Sequence, residues 1–289
     1  MAVVCAGELL VDGRPDGSEQ PGGAPANVAI HAKALGLASS LLSRLGTDEA
    51  GARLRDWLGS SGVDDRLCQA DARHATGAVR IGMLPSGDPF YDIMAPAAWD
   101  FLEATEPALQ AAKDGDVFVY GTLAQRHPEG RRAIRALAQA ALGGGGRVLA
   151  DLNLRAPFYD DETVLWTLRH CHVLKLNREE LAVVSHLLGA AGREADLFTG
   201  LLREFGIGRG VLTAGAGGAW IFEDGRLVHE PAVPAAAVDP VGAGDAFCAA
   251  LAVGLAAGRT LRESAPRAAR AAAFVVSRHG ATPPLPPEI

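Results

Sequence analysis

Short apolar runs rich in β-branched residues alternate along the chain with longer stretches whose apolar positions recur at helical spacing. The pattern predicts strands over residues 2–11, 40–45, 116–120, 147–152, 172–176, 210–213, 219–222 and 226–230. Helices are predicted over 25–35, 49–60, 128–142, 161–169, 178–188, 193–204, 244–257 and 261–277. Such alternation implies an α/β protein with a mostly parallel sheet covered on both faces. Ligands of these sheets sit beyond the carboxyl ends of the strands, so segments that follow strands carry the functional interest.

Two stretches interrupt the alternation. Residues 13–21 form a polar, Gly/Pro-rich excursion, and residues 76–96 hold two short strand-like pieces, 78–84 and 90–94, around the turn-like Pro85-Ser86-Gly87-Asp88. Both return to helical sequence, as a small β-flap over the binding edge would. The tract from Gly143 to Gly146 reads as a helix stop and turn rather than a phosphate loop.

Length and charge narrow the possibilities. With 289 residues the chain can bury a large core, and a net charge of −7 argues against nucleic acid or an anionic membrane as partner. Cys5, Cys68, Cys171 and Cys248 form no CxxC pair, which fits free thiols in a reducing compartment. The opening Ala2–Glu8 lacks a basic leader, and no apolar run reaches membrane-spanning length. A cytoplasmic protein is the expectation.

The most informative segment is Val238-Asp239-Pro240-Val241-Gly242-Ala243-Gly244-Asp245, followed at once by an apolar helical run. A glycine turn at a helix N-terminus offers free N–H groups and the positive end of the dipole to an anion. An acid in that turn can take a proton beside the anion, as phosphoryl transfer to a hydroxyl requires. The competing reading is structural: Asp245 as a helix-start acid that caps free amides and suits the dipole, after a plain tight turn at Gly-Ala-Gly.

Further candidates follow other strands. In Pro21-Gly22-Gly23-Ala24-Pro25-Ala26-Asn27, the paired glycines admit a ligand close to the backbone, and Asn27 offers a donor and an acceptor to a polyol. An ordinary loop-to-helix junction would look the same. Asp12 is either an acceptor for sugar hydroxyls or a turn acid. Arg155 in Asp151-Leu152-Asn153-Leu154-Arg155 binds an anionic group or sugar oxygens, or pairs with Asp151. Asn177 and Glu180 either orient Mg²⁺-bound water or form a capping box. Thr213 to Gly218 is a nucleotide-side loop candidate. There is no GxxxxGK[ST], no GxGxxG after the first strand and no HExxH. His170-Cys171-His172 points to alternate faces of a strand, against a metal site.

Gly22-Gly23-Ala24-Pro25-Ala26-Asn27 and Gly242-Ala243-Gly244-Asp245 together resemble the two signatures of the ribokinase-like (PfkB) carbohydrate kinases. The likeness runs nearly the whole chain in order. Gly22–Asn27 and the Asp151-Leu152-Asn153-Leu154-Arg155 segment look most like the fructokinase and 2-keto-3-deoxygluconate kinase branch, and Tyr91-Asp92-Ile93 with Ala98-Trp99-Asp100 and Gly121–Arg126 is similar to the bacterial fructokinases of that branch. The resemblance implies a three-layer α/β/α ribokinase-like fold, one kinase domain over 1–289 with lid segments at about 12–21 and 76–96. It implies ATP, Mg²⁺ and a sugar as ligands, fructose first, with K⁺ as a further ion and a homodimer clasped through the lids. Asp245 would be the base, and Gly242, Ala243 and Gly244 the anion cradle. Asp12, Gly22, Gly23, Asn27, Tyr91 and Arg155 would hold the sugar. Lys175, Asn177, Glu180, Thr213, Gly215 and Gly218 would serve the nucleotide, Glu180 reaching Mg²⁺ through water. Asp239 would take the monovalent cation, although Pro240 stands where the family usually has Thr. The rival readings are a kinase for a sugar acid and a binding protein without turnover.

Overall fold

The computed structural model describes residues 1–13, 17–83 and 89–289, with positions 81–83 and 89–91 described by their backbone alone. From the N-terminus, β1 (Ala2–Ala6) enters the core, β2 (Leu10–Gly13) and β3 (Glu19–Gly22) leave it, and α1 (Ala24–Ala34) returns. Then come β4 (Ala38–Gly46), α2 (Glu49–Ser60) and β5 (Cys68–Asp71), before a second excursion in β6 (Gly77–Met83) and β7 (Pro89–Ile93). The chain goes on through α3 (Glu106–Asp114), β8 (Val117–Tyr120), α4 (Pro128–Leu142), β9 (Arg147–Asp151), α5 (Asp161–Arg169) and β10 (Val173–Asn177). It finishes with α6 (Arg178–Leu187), α7 (Glu194–Glu204), β11 (Arg209–Thr213), β12 (Ala219–Glu223), β13 (Arg226–Glu230), α8 (Ala243–Ala256) and α9 (Leu261–Val276).

The large sheet has the order β13-β12-β11-β10-β9-β8-β1-β4-β5. It is parallel from β11 to β5 and antiparallel at the β12 and β13 edge. Because successive side chains of a strand point to opposite faces, the sheet separates two cores. Val3, Cys5, Val117 and Val119 face α1, α2, α8 and α9, while Val4, Ala6, Phe118 and Tyr120 face α3 to α7. This two-sided burial is why the strands read as apolar runs without polar alternation. Helix α8 is buried at every position from Ala246 to Leu255, so its sequence is apolar all round.

A second sheet, β3-β2-β6-β7, is antiparallel except for the β2–β6 pair. It takes up the described parts of the two excursions. The turn expected at 85–88 and the loop at 14–16 lie outside the described residues.

Three expectations are corrected. The single strand over 2–11 is two strands in different sheets, parted by Gly7, Glu8 and Leu9. Leu9, Leu10 and Val11 are as buried as β1, so apolar character gives no sign of the change. Strands β3 and β5 are additions to the predicted set; Glu-Gln-Pro-Gly and Cys-Gln-Ala-Asp have little strand propensity and owe their conformation to pairing with β2 and β4. Helix α3 is a further addition, because its buried stripe is only Ala108 and Ala112, too small to stand out.

Candidate active site

Strands β9, β10 and β11 end at Asp151, Asn177 and Thr213 on one edge of the large sheet, and the turn before α8 closes over that edge. Gly242 is the N-cap of α8, with φ at +80°. A side chain there would need the left-handed region, and its Cβ would stand 2.2 Å from the Ala281 carbonyl oxygen. Among the described residues, the N–H groups of Gly242, Gly244 and Asp245 donate to no acceptor, and Ala243 N makes only a 3.4 Å contact with Pro240 O. These are the free donors of a helix N-terminus, aimed where an anion can sit.

Asp245 lies in the first turn of α8. Its Oδ2 accepts a 2.8 Å hydrogen bond from Asn27 Nδ2 on α1, and its Oδ1 accepts none from the described residues. Burial pushes the carboxyl up to about 6; the Asn27 bond opposes that shift, Asp151 adds to it, and Lys175 and Arg155 oppose it. The other end of the Asn27 amide, Oδ1, is buried without a partner among the described residues. A buried acceptor of this kind is ready for a hydroxyl donor.

Helix α1 begins at Gly23, whose φ is +112° and whose Cβ would stand 2.4 Å from the Glu8 carbonyl oxygen. The glycine is therefore required by the protein's own backbone, not solely by an approaching ligand. No side chain of the helix caps it. Glu8 does so from the loop between β1 and β2, its Oε1 accepting from Ala24 N at 3.2 Å. Burial raises the Glu8 carboxyl to about 7, against the pull of those amides and of Arg155. Sequence reasoning misses both Glu8 and its partnership with Gly23, since no local spacing links a strand-end acid to a helix start 16 residues on.

Lys175 and Asp151, neighbours on β10 and β9, form a buried pair at 2.7 Å. Burial alone would lower the ammonium, but Asp151 holds it charged and above the ordinary lysine range. A Cβ on Gly244 would stand 3.8 Å from Lys175 Nζ, so this cation lies directly under the glycine turn. Asp151 thus pairs with Lys175, and the expected alternative of an Arg155–Asp151 pair is not realised among the described residues. Arg155 is exposed; among the described residues its guanidinium makes only a long 3.5 Å contact to Leu154 O, and its charge acts on both Glu8 and Asp245.

Asn177 and Glu180 form a capping box at the start of α6. Asn177 Oδ1 accepts from Glu180 N at 2.8 Å, and Glu180 Oε2 accepts from Asn177 N at 2.8 Å. Glu180 Oε1 accepts from Leu154 N at 2.9 Å, tying α6 to the loop that carries Arg155. The capping alternative is realised in full, and direct metal coordination by Glu180 would compete with these amides. Thr213 Oγ1 donates to Leu176 O at 3.4 Å. Gly215 opens the short 3-10 turn after β11, while Gly218 abuts the Glu230 carbonyl and packs against β13.

Asp239 Oδ1 accepts from Val241 N and Oδ2 from Gly280 N, both at 3.1 Å. It ties the glycine turn to the 280–281 segment. Asp12 stands opposite Gln20 in the β2–β3 register and diagonal to Gly22, where a Cβ on Gly22 would meet the Asp12 Cβ at 3.3 Å. Tyr91 stands opposite Ile81 in the flap register; its side chain lies outside the described residues. His170, Cys171 and His172 bond separately to Trp166 O, Leu168 O and Val148 N. Among the described residues no cluster of three metal-ligating side chains occurs, and no helix is long and apolar enough to cross a membrane.

The profile of the pfkB family carbohydrate kinases matches residues 10–288. The fructokinase of Escherichia coli is 31% identical over 296 residues, 97% of this chain and 94% of that protein. The crystal structure of aminoimidazole riboside kinase from Salmonella enterica, complexed with aminoimidazole riboside and an ATP analog, superposes with a TM-score of 0.84 at 25% identity, covering 100% of this chain and 98% of that one. The fructokinase of Vibrio cholerae O395, in its fructose, ADP and calcium ion bound form, superposes at 0.82 with 26% identity, covering 97% and 94%.

Proposed function

This chain belongs to the pfkB family of carbohydrate kinases, and from that membership we propose that it transfers the γ-phosphoryl group of ATP to a primary hydroxyl of a hexose, D-fructose first. The observation that carries the reading is the 2.8 Å contact between Asn27 and Asp245, which joins the two glycine signatures in one site. A sugar bound there meets a carboxylate and, on the adjacent side chain, a buried acceptor with no partner among the described residues.

Asp245, ionised, accepts the hydroxyl proton as the alkoxide oxygen attacks the γ-phosphorus. The bond from phosphorus to the bridging oxygen breaks, and ADP leaves with that electron pair. Amides of Gly242, Ala243 and Gly244 take up the charge on the transferred group, with Lys175 beneath them. Magnesium enters with ATP as part of the substrate, its place set mainly by phosphate oxygens. Asn177, Glu180, Thr213, Gly215 and Gly218 shape the nucleotide side through the backbone they hold. Asp12, Gly22, Gly23, Tyr91 and Arg155 complete the sugar side. Potassium beside Asp239 would stiffen the glycine turn without touching the reacting atoms. Substituting tetramethylammonium for K⁺ at constant ionic strength tests that part.

A neutral sugar is favoured over a sugar acid. Of the arginines an acidic acceptor would need, Arg126 is locked to Asp100 at 2.8 Å and to the carbonyls of Ile93 and Met94. Arg80 is exposed on the flap, opposite Asp92. Arg155 alone of these three acts on the site. Aminoimidazole riboside, the ligand of a similar protein, is the other neutral acceptor to try. A panel of fructose, aminoimidazole riboside, ribose and 2-keto-3-deoxygluconate with ATP and Mg²⁺ ranks them by kcat/KM. Fructose is expected to lead, and a higher value for any other acceptor would replace it.

A further inference from the structure

Helix α1 reaches the candidate site twice on one face. Asn27 bonds to Asp245, and His31, one turn further on, bonds through Nε2 to the Ala281 carbonyl oxygen at 2.9 Å. Ala281 is the residue against which Gly242 packs, so closely that a Cβ on Gly242 would overlap its backbone. The preceding residue, Gly280, donates to Asp239, which in turn accepts from Val241. The glycine turn thus has a backing made of residues 280 and 281, and that backing is pinned to α1 by one imidazole.

His31 is 1% exposed. Burial lowers its imidazole to about 4, so it is neutral near pH 7, and Nε2 must carry the proton to bond to a carbonyl. The buried ring, one turn beyond Asn27 in an Ala-rich helix, thus gives its donor to the backing of the turn.

We propose that His31 is a positioning residue for phosphoryl transfer, holding the 280–281 segment so that the Gly242–Gly244 amides keep the orientation the transferred group needs. This rests on the reading of that turn as the phosphoryl site. His31 is buried behind the turn, and on this reading it acts on transfer only through the Ala281 carbonyl it holds. Its removal therefore leaves ground-state binding in place and weakens what develops only during transfer.

Two variants separate this role from plain packing. His31→Leu fills similar space without a donor; His31→Gln keeps an N–H at similar reach. With saturating ATP and the acceptor sugar, H31L is expected to lose about 10- to 100-fold in kcat, as for residues that support a reacting group from behind. Its KM for the sugar should stay within about 2-fold, and H31Q should recover most of kcat. Hydrogen exchange of the amides at 241–245 should speed up in H31L and not in H31Q. That measurement needs no turnover, so an inactive wild type would overturn the sugar assignment while leaving His31 still tested. Wild-type kcat and exchange in H31L would overturn the proposal, as would H31Q being as impaired as H31L. Should H31L fail to fold, His31→Asn, whose N–H falls short of Ala281, takes its place with the same expected losses.

Discussion

Asn27 on α1 and Asp245 on α8 are 218 residues apart in sequence and joined by a 2.8 Å hydrogen bond. The bond favours the ionised carboxylate, while burial works against it, and the balance leaves Asp245 at about 6. A base so tuned is ionised near neutral pH yet still able to hold a proton during transfer.

Asp245→Asn is therefore expected to lower kcat by about 10² to 10⁴, the usual loss for a general base. Nucleotide affinity, read by calorimetry, should remain near wild type. An unchanged kcat would remove Asp245 from the mechanism.

The pH profile follows from the same carboxyl. Because the base must be ionised, kcat/KM should fall as pH drops through about 6 and level off above it. Asn27→Ala deletes the bond that favours ionisation, so its midpoint should move above that of the wild type, with a higher KM for the sugar. An unmoved midpoint would mean that another group controls the profile.

Glu8 makes a stability prediction with a definite sign. Its folded value, about 7, lies above the ordinary 4.5, so the folded state prefers the protonated acid. The stability this contributes is complete below about pH 4.5 and is lost as pH rises to about 7, a change on the order of 3 kcal/mol. Glu8→Gln keeps an acceptor for Ala24 N and cannot ionise. Denaturant midpoints of E8Q should fall less than those of the wild type between pH 5 and 8.

The Lys175–Asp151 pair is buried on both sides. Lys175→Met leaves Asp151 uncompensated and should destabilise by about 3–5 kcal/mol, whereas K175M with Asp151→Asn should recover much of that. If the double variant is no better than K175M, the pair is not the cause.

Gly242→Ala combines a left-handed φ with a collision against Ala281. It should abolish turnover even where thermal melting still shows a folded protein, and Gly244→Ala, which meets no backbone, should be far milder.

Much of this site is legible in the order of its amino acids. The residues proposed to carry chemistry stand in glycine-rich turns next to apolar runs, and local spacing singles them out. Asn177 and Glu180 are legible as a capping box because the box is a local motif. Glu8, His31 and the Asp151–Lys175 pair are not, since each takes its meaning from a partner on another element. His31 looks like one polar residue in an Ala-rich helix until Ala281, 250 positions away, is brought to its ring.

By itself the amino-acid order determined the α/β alternation, most helix and strand positions, and the two glycine turns with their acid and amide. Local steric preference and apolar periodicity decide those features, and neither needs a partner. Only the folded chain decided that residues 2–11 divide between two sheets, that Glu8 seats helix α1, and that Asn27 meets Asp245. These depend on strand order and helix packing, which bring together groups whose separation along the chain carries no local signal.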